Sequence, residues 1–201
     1  MTAATTVLRT GLAVALCGLA ACAAAPPPRL MLLSNDTALP PPAADTQRPL
    51  LVVRTVALPE YLDRRAVIYR SGDAELQRFP DTIWAERLGM SVTRWMAQQL
   101  TADLPAYDVQ AFSAMGNTAP ALTLNLELES FEPSAVTASA LHLRGSWHLS
   151  GSATAEGRIA ADVPMSVLDP DGTVAAMRVA LTQAAADIAA RVQGLPPAGG
   201  H

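Results

Sequence analysis

This chain contains no lysine, so all fourteen of its basic residues are arginine, and among its 201 residues there are only two cysteines. Both cysteines, Cys17 and Cys22, fall in the first 22 residues. The rest of the chain therefore has no disulfide and no thiol nucleophile, and its fold must stand on its core. Aromatic residues make up only 4% of the chain and there are three histidines. Net charge is −4 with no basic stripe, which argues against nucleic acid as a partner and against a polybasic membrane patch. The sequence also lacks a long apolar run. The stretch from Gly11 to Ala25 is about fifteen residues, short of the roughly twenty that a spanning helix needs.

That short run is informative by its position. Arg9 precedes it, and it ends in Leu19-Ala20-Ala21-Cys22. A charged start, an apolar stretch and small residues before a cut make a secretory signal. A cut that leaves cysteine first is the lipobox arrangement of bacterial lipoproteins. The thiolate is the nucleophile that accepts a diacylglycerol. The expectation is that residues 1–21 are removed and that Cys22 is lipidated. Residues 22–49 then read as a lipidated, proline-rich tether, with Pro26-Pro27-Pro28 in extended polyproline geometry and a candidate first strand at 30–33.

From residue 50 onward the pattern is that of one α/β domain, to residue 193, with 194–201 read as a disordered tail. Leu50 to Leu58 is β-branched and nearly continuous in apolar character, as a strand covered on both faces would be. Ala66 to Arg70 reads as a second strand, with Glu75 to Phe79 pairing back as a hairpin arm. Pro80-Asp81-Thr82 reads as the opening of the main helix, capped by Asp81 or Thr82. Its apolar face would carry Trp84, Leu88, Val92, Trp95 or Met96, Leu100 and Leu104, and Pro105 would end it. Tyr107 to Phe112 is a third strand. Leu122, Leu124, Leu126 and Leu128 alternate with polar residues, and so do Leu141, Leu143, Gly145, Trp147 and Leu149. These are two one-side-wet strands of an antiparallel hairpin, with Glu127 and Glu129 placed to pair with Arg144. Arg158 to Val167 is a further strand. Asp169 to Gly172 is a turn, and a final helix runs from Thr173 to Gln193.

The sequence holds little chemistry. It has no glycine-rich phosphate loop, CxxC pair or HExxH motif. His142 and His148 lie six residues apart on one strand face, about 20 Å at strand rise, and read as solvated strand histidines rather than a metal pair. The Asp169-to-Gly172 turn echoes a calcium loop but lacks its later ligands. The expectation is a chain that is not an enzyme, with no cofactor and no metal. Pro59 to Arg70 is the candidate partner-binding segment. There Tyr61, Asp63, Arg64, Arg65 and Tyr69 mix aromatic and charged groups. The competing reading is that Tyr61 and Leu62 simply plug the sheet edge.

Three segments together carry a family resemblance. They are Leu58-Pro59-Glu60-Tyr61-Leu62-Asp63-Arg64 leading to Val67-Ile68-Tyr69-Arg70; Ile83-Trp84-Ala85-Glu86-Arg87-Leu88 followed by Gln99-Leu100; and Leu122 to Phe131 followed by Gly145-Ser146-Trp147. With the lipobox, this set resembles the ABC-type transport auxiliary lipoproteins. Leu30-Met31 stands where that family usually begins with a tyrosine pair. The resemblance implies a mixed β-sheet with packed helices, similar to the N-terminal domain of TolB. It also implies a non-catalytic lipoprotein, anchored in the outer membrane and facing the periplasm. Such a protein would dock a periplasm-spanning MCE-domain protein of an inner-membrane lipid-transport complex. Assembly of several copies into a homo-oligomer is left open. The alternative is a lipoprotein that binds a lipid or small apolar ligand itself.

Overall fold

The structure, a computed structural model, describes residues 26–34, 48–112, 119–136 and 139–195. The expected signal segment at 1–21, the expected lipidation site Cys22, and the tail beyond residue 195 lie outside the described residues.

The sheet is built around one long strand, β6 (Leu122–Ser134). One edge of β6 runs antiparallel along β7 (Ala140–Gly151), which in turn pairs antiparallel with β8 (Ala155–Pro164). Three segments share its other edge. β2 (Leu50–Val53) lies parallel to its start, Ala57 bridges to Glu127, and β3 (Ala66–Gly72) meets its end at Ser134. Outside β2 lies β5 (Asp108–Ala111), parallel; outside β3 lies β4 (Glu75–Trp84), antiparallel; and outside β4 lies β1 (Arg29–Met31), parallel. Among the described residues the result is one mixed sheet of eight strands. Helices α1 (Leu88–Asp103) and α2 (Pro170–Gln193) pack on each other and on the sheet.

Period-two alternation decides which face is covered. Leu122, Leu124, Leu126, Leu128, Leu141, Leu143, Trp147, Leu149, Ile159 and Val163 are all buried, and each such side chain contributes about 1.5–3 kcal/mol by leaving water. Thr123, Asn125, Glu127, Ser146, His148, Glu156 and Arg158 form the opposite, open face. Helix α2 fits closely because its inner stripe is small: Ala176, Ala180, Ala184, Ala185 and Ala189 are buried beside Val174, Leu181 and Ile188. Asp169 caps it by accepting from the Gly172 backbone N–H at 2.6 Å. Pro170 in the first turn, Asp171 near the N-terminus and Arg191 near the C-terminus complete a well-signalled helix. Gly157 sits opposite Trp147 across the β7–β8 ladder, and a Cβ there would collide with the indole.

The mixed sheet with packed helices is as expected from the sequence; several boundaries differ. Pro80-Asp81-Thr82 does not open the main helix. These residues belong to β4, and α1 begins at Leu88 with Arg87 at its N-cap and no side-chain cap. The physical reason is a wide irregularity in the β3–β4 ladder: Ala66 pairs with Ile83, but Ile68 pairs with Arg78. Asp81 absorbs the bend in the left-handed region, at φ 47°, where aspartate is among the better-tolerated residues. Trp84 is therefore a buried strand residue whose spacing from Leu88 imitates a helical face.

Glu86 lies before α1. Its burial works against ionisation, but hydrogen bonds from Ser91 and Arg94 outweigh that and hold its carboxyl below the usual range. The Leu50–Leu58 strand is regular only to Val53. The candidate first strand at 30–33 corresponds to β1, Arg29–Met31, which pairs with β4, and Met31 and Leu33 are buried in the common core.

Glu127 and Glu129 do not pair with Arg144. The β6–β7 register shifts between Leu128 and Ser130, which leaves Glu129 in a bulge. From there it forms a two-pronged ion pair with Arg158 at 2.8 and 2.9 Å. Arg144 instead grips Asp162 at 2.7 and 2.8 Å, and His142 Nδ1 lies 2.6 Å from the same carboxylate. The hydrogen bonds with His142 and then Arg144 hold the Asp162 carboxyl below its ordinary range.

Candidate docking surface

Pro59 starts a tight turn in which the N–H groups of Leu62 and Asp63 both donate to its carbonyl, at 2.9 and 3.2 Å. The turn drives Leu62 into the core, where it is 2% exposed. It also lays Tyr61 across the end of β6. The Tyr61 hydroxyl donates to Glu132 Oε2 at 3.0 Å. Glu132 is buried, and each of its oxygens is engaged. Oε2 also accepts from the Phe131 N–H at 2.9 Å, and Oε1 accepts from Arg70 Nη2 at 2.6 Å and Nε at 3.2 Å. This cluster forms where β6 changes neighbours from Ala57 to β3. The Pro59–Arg65 turn is thus fastened to the sheet by a buried carboxylate.

Burial, then the charge of Glu132 and the hydrogen bond to it, push the Tyr61 phenol up to about 12. The bond to Glu132 raises the Arg70 guanidinium above its ordinary value. For the tyrosine the sign is simple. The neutral, donating form is stabilised by folding; that contribution is complete below the unfolded value of about 10 and is lost as pH rises through about 12. Subtracting the ultraviolet titration of Tyr61→Phe from that of the native protein should isolate one phenol ionising near pH 12. The same variant should lose about 1.5–3 kcal/mol in urea unfolding, the range for a hydrogen bond to a charged group.

The five expected partner-binding residues are separated by the fold. Asp63 and Arg64 stand on the outer side of the turn. There they line an open concavity of ≈ 550 Å³ with Leu58, Glu60 and Arg87. Arg64 meets Glu60 at 3.3 Å and Arg87 meets Asp63 at 3.6 Å. Such exposed pairs contribute little to stability and are free to exchange partners. Arg65 is exposed beside them, while its carbonyl accepts from the Trp84 N–H at 2.6 Å. Tyr61 lies beneath the surface as its fastening. Tyr69 is turned away; its ring lies 4.8 Å from that of Phe79 and its hydroxyl donates to Gln77 at 2.7 Å.

Glu60 and Arg87 complete the surface and were not among the residues singled out from the sequence. Arg87 reaches it only because β4 ends beside the turn. A second concavity, of ≈ 530 Å³, lies on the open face of the sheet between the Thr55–Ala57 stretch and β8. Asn125, Glu127, Ser146, His148, Glu156 and Arg158 contribute to its wall. Among the described residues, no three metal-ligating side chains come together. Both concavities are open; the one beside the turn is mainly polar, whereas Ala57, Leu126 and Trp147 give the second a mixed wall.

The structure is thus an α/β domain with one helix-covered sheet face and an open face that carries charged residues. The sequence matches the ABC-type transport auxiliary lipoprotein components over residues 32–189, and the chain belongs to that family. Among curated proteins there is no match. Two solved structures share the fold. One is a crystal structure of an uncharacterized protein, 20% identical, TM-score 0.68, covering 83% of this chain and 99% of the other. The second is protein XCC0632 from Xanthomonas campestris, of the DUF330 family, 18% identical, TM-score 0.56, covering 82% and 91%.

Proposed function

We propose that this chain is a non-catalytic, lipid-anchored docking component of an MCE-type intermembrane lipid-transport system. It is held at the outer membrane by acylated Cys22 and faces the periplasm. Membership of the transport auxiliary lipoprotein family carries this reading; the Leu19-Ala20-Ala21-Cys22 lipobox supports it. Ala23 in place of aspartate after the acylated cysteine suits outer-membrane sorting. The partner is the MCE-domain protein of the inner-membrane complex, and the docking surface is the Pro59–Arg65 turn with Arg87.

The charged lining of the concavity beside the turn, Glu60, Asp63, Arg64 and Arg87, favours a protein partner over an acyl chain there. Surface charges such as the half-buried Asp63 and the exposed Arg64 and Arg87 tune association and partner choice more than domain stability. Tagged chain solubilised from membranes should co-purify an MCE-domain protein. Reversing two charges, Asp63→Arg with Arg64→Glu, should lower that recovery at least ten-fold while leaving thermal unfolding within about 1 kcal/mol of the native value. Equal recovery from the doubly reversed chain would remove the turn from the interface. Absence of any such protein from the native preparation would remove the function.

A further inference from the structure

We infer that the β1 corner of the domain lies against the bilayer, with Leu30 and Leu32 seated among the lipid headgroups. This rests on the proposed acylation of Cys22 and goes beyond it, because an anchor alone does not orient the domain. Six exposed large hydrophobic residues occur among the described residues; Leu30 on β1 and Leu32 just after it are the two nearest the anchor in the chain, Val167 lies in the connection before α2, and Val179 lies within α2. Leu30 is 60% and Leu32 49% exposed, whereas Met31 and Leu33 between and beyond them are buried. The alternation is that of a strand whose outer side has nothing on it.

These elements are firmly joined. Arg29 makes a two-pronged pair with Asp171 at 2.7 and 2.9 Å, and Arg178 Nε donates to the Leu33 carbonyl at 2.8 Å. The exposed leucines therefore stand on a rigid ledge, not on a loose arm.

The tether decides the occupant. Only residues 23–28 separate Cys22 from Arg29. Seven chain steps reach no more than about 25 Å fully extended. A domain of this length has a radius of gyration of about 15 Å and a width well above that leash. Of all the exposed apolar groups, those of β1 are the ones the acyl anchor keeps nearest the membrane.

The test uses the acylated full chain in vesicles of phosphatidylethanolamine and phosphatidylglycerol. After signal removal the only cysteine is the acylated Cys22, so Leu32→Cys and, separately, Leu30→Cys each provide a single thiol for an environment-sensitive NBD label. Leu76→Cys, at the β3–β4 tip, is the control. The inference expects labels at 30 and 32 to brighten at least two-fold, to shift to shorter wavelength, and to be quenched by nitroxide lipids, with position 76 unchanged. Labels at 30 and 32 that behave like 76 would overturn it. So would brightening without lipid quenching, which would mean that protein covers the ledge. Mass analysis of the same preparation separates the two readings. A chain without acyl groups strikes both the anchor and this orientation, whereas an acylated, vesicle-bound chain with wet Leu30 and Leu32 strikes the orientation alone.

Discussion

Arg70→Met is expected to cost about 3–5 kcal/mol, the range for leaving a buried charge without its partner. For a domain of this size that lowers Tm on the order of 10 °C. The Glu132 side chain is 4% exposed, against 31% for Arg70, so the carboxylate cannot recover hydration when the guanidinium goes. It would keep only the Tyr61 hydroxyl and the Phe131 N–H. Glu132→Leu should cost less, because the partly exposed Arg70 can turn to water. The decisive variant is the double one. Arg70→Met with Glu132→Leu removes both charges and should cost less than the two single losses added together, since a buried pair is weakly stabilising against apolar replacements; recovery stays partial because the Tyr61 hydroxyl and the Phe131 N–H also lose their acceptor. Losses that simply add would show that the two groups act independently, contrary to the geometry.

Cys22→Ser is expected to have the largest functional effect. It removes the thiol proposed to accept lipid, so palmitate labelling should disappear and the bulk of the protein should leave the membrane fraction. Each buried methylene of an acyl chain contributes about 0.8 kcal/mol, and several chains together hold a protein stably where one does not. No helix among the described residues is long and apolar enough to cross a membrane. Fractionation with metabolic labelling reads the outcome directly. A serine variant that still carries label, or that remains in the membrane fraction in native proportion, would refute the anchor.

How far the fold was legible depended on whether the deciding interaction was local. The Leu122–Leu128 alternation, the Leu141–Leu149 alternation and the α2 stripe are local patterns, and each became the element it suggested. Trp84 shows the opposite case. Its spacing from Leu88 and Val92 is helical, yet it is set by the β3–β4 irregularity around Asp81, which depends on pairing with residues 66–68. The bulge at Glu129 had no local mark either, so its partner is Arg158 rather than Arg144.

The candidate surface was legible as a segment but not as a geometry. Pro59 and the charged run mark a turn. That Tyr61 faces inward follows from Glu132, 71 residues away. The one local hint is Glu132 itself, an acid between Phe131 and Pro133 near the end of β6. Arg87 joins Asp63 only through the path of β4.

The central claim is that the acylated domain holds a transport partner at the Pro59–Arg65 turn. The most direct measurement is photo-crosslinking in living cells from a benzoylphenylalanine placed at Arg64, with Leu76 as the control position. The account predicts an adduct with an MCE-domain envelope protein from position 64, lost in the Cys22→Ser background and absent from position 76. Adducts of equal yield from both positions, or none with such a protein from position 64 in an acylated, correctly folded chain, would contradict it.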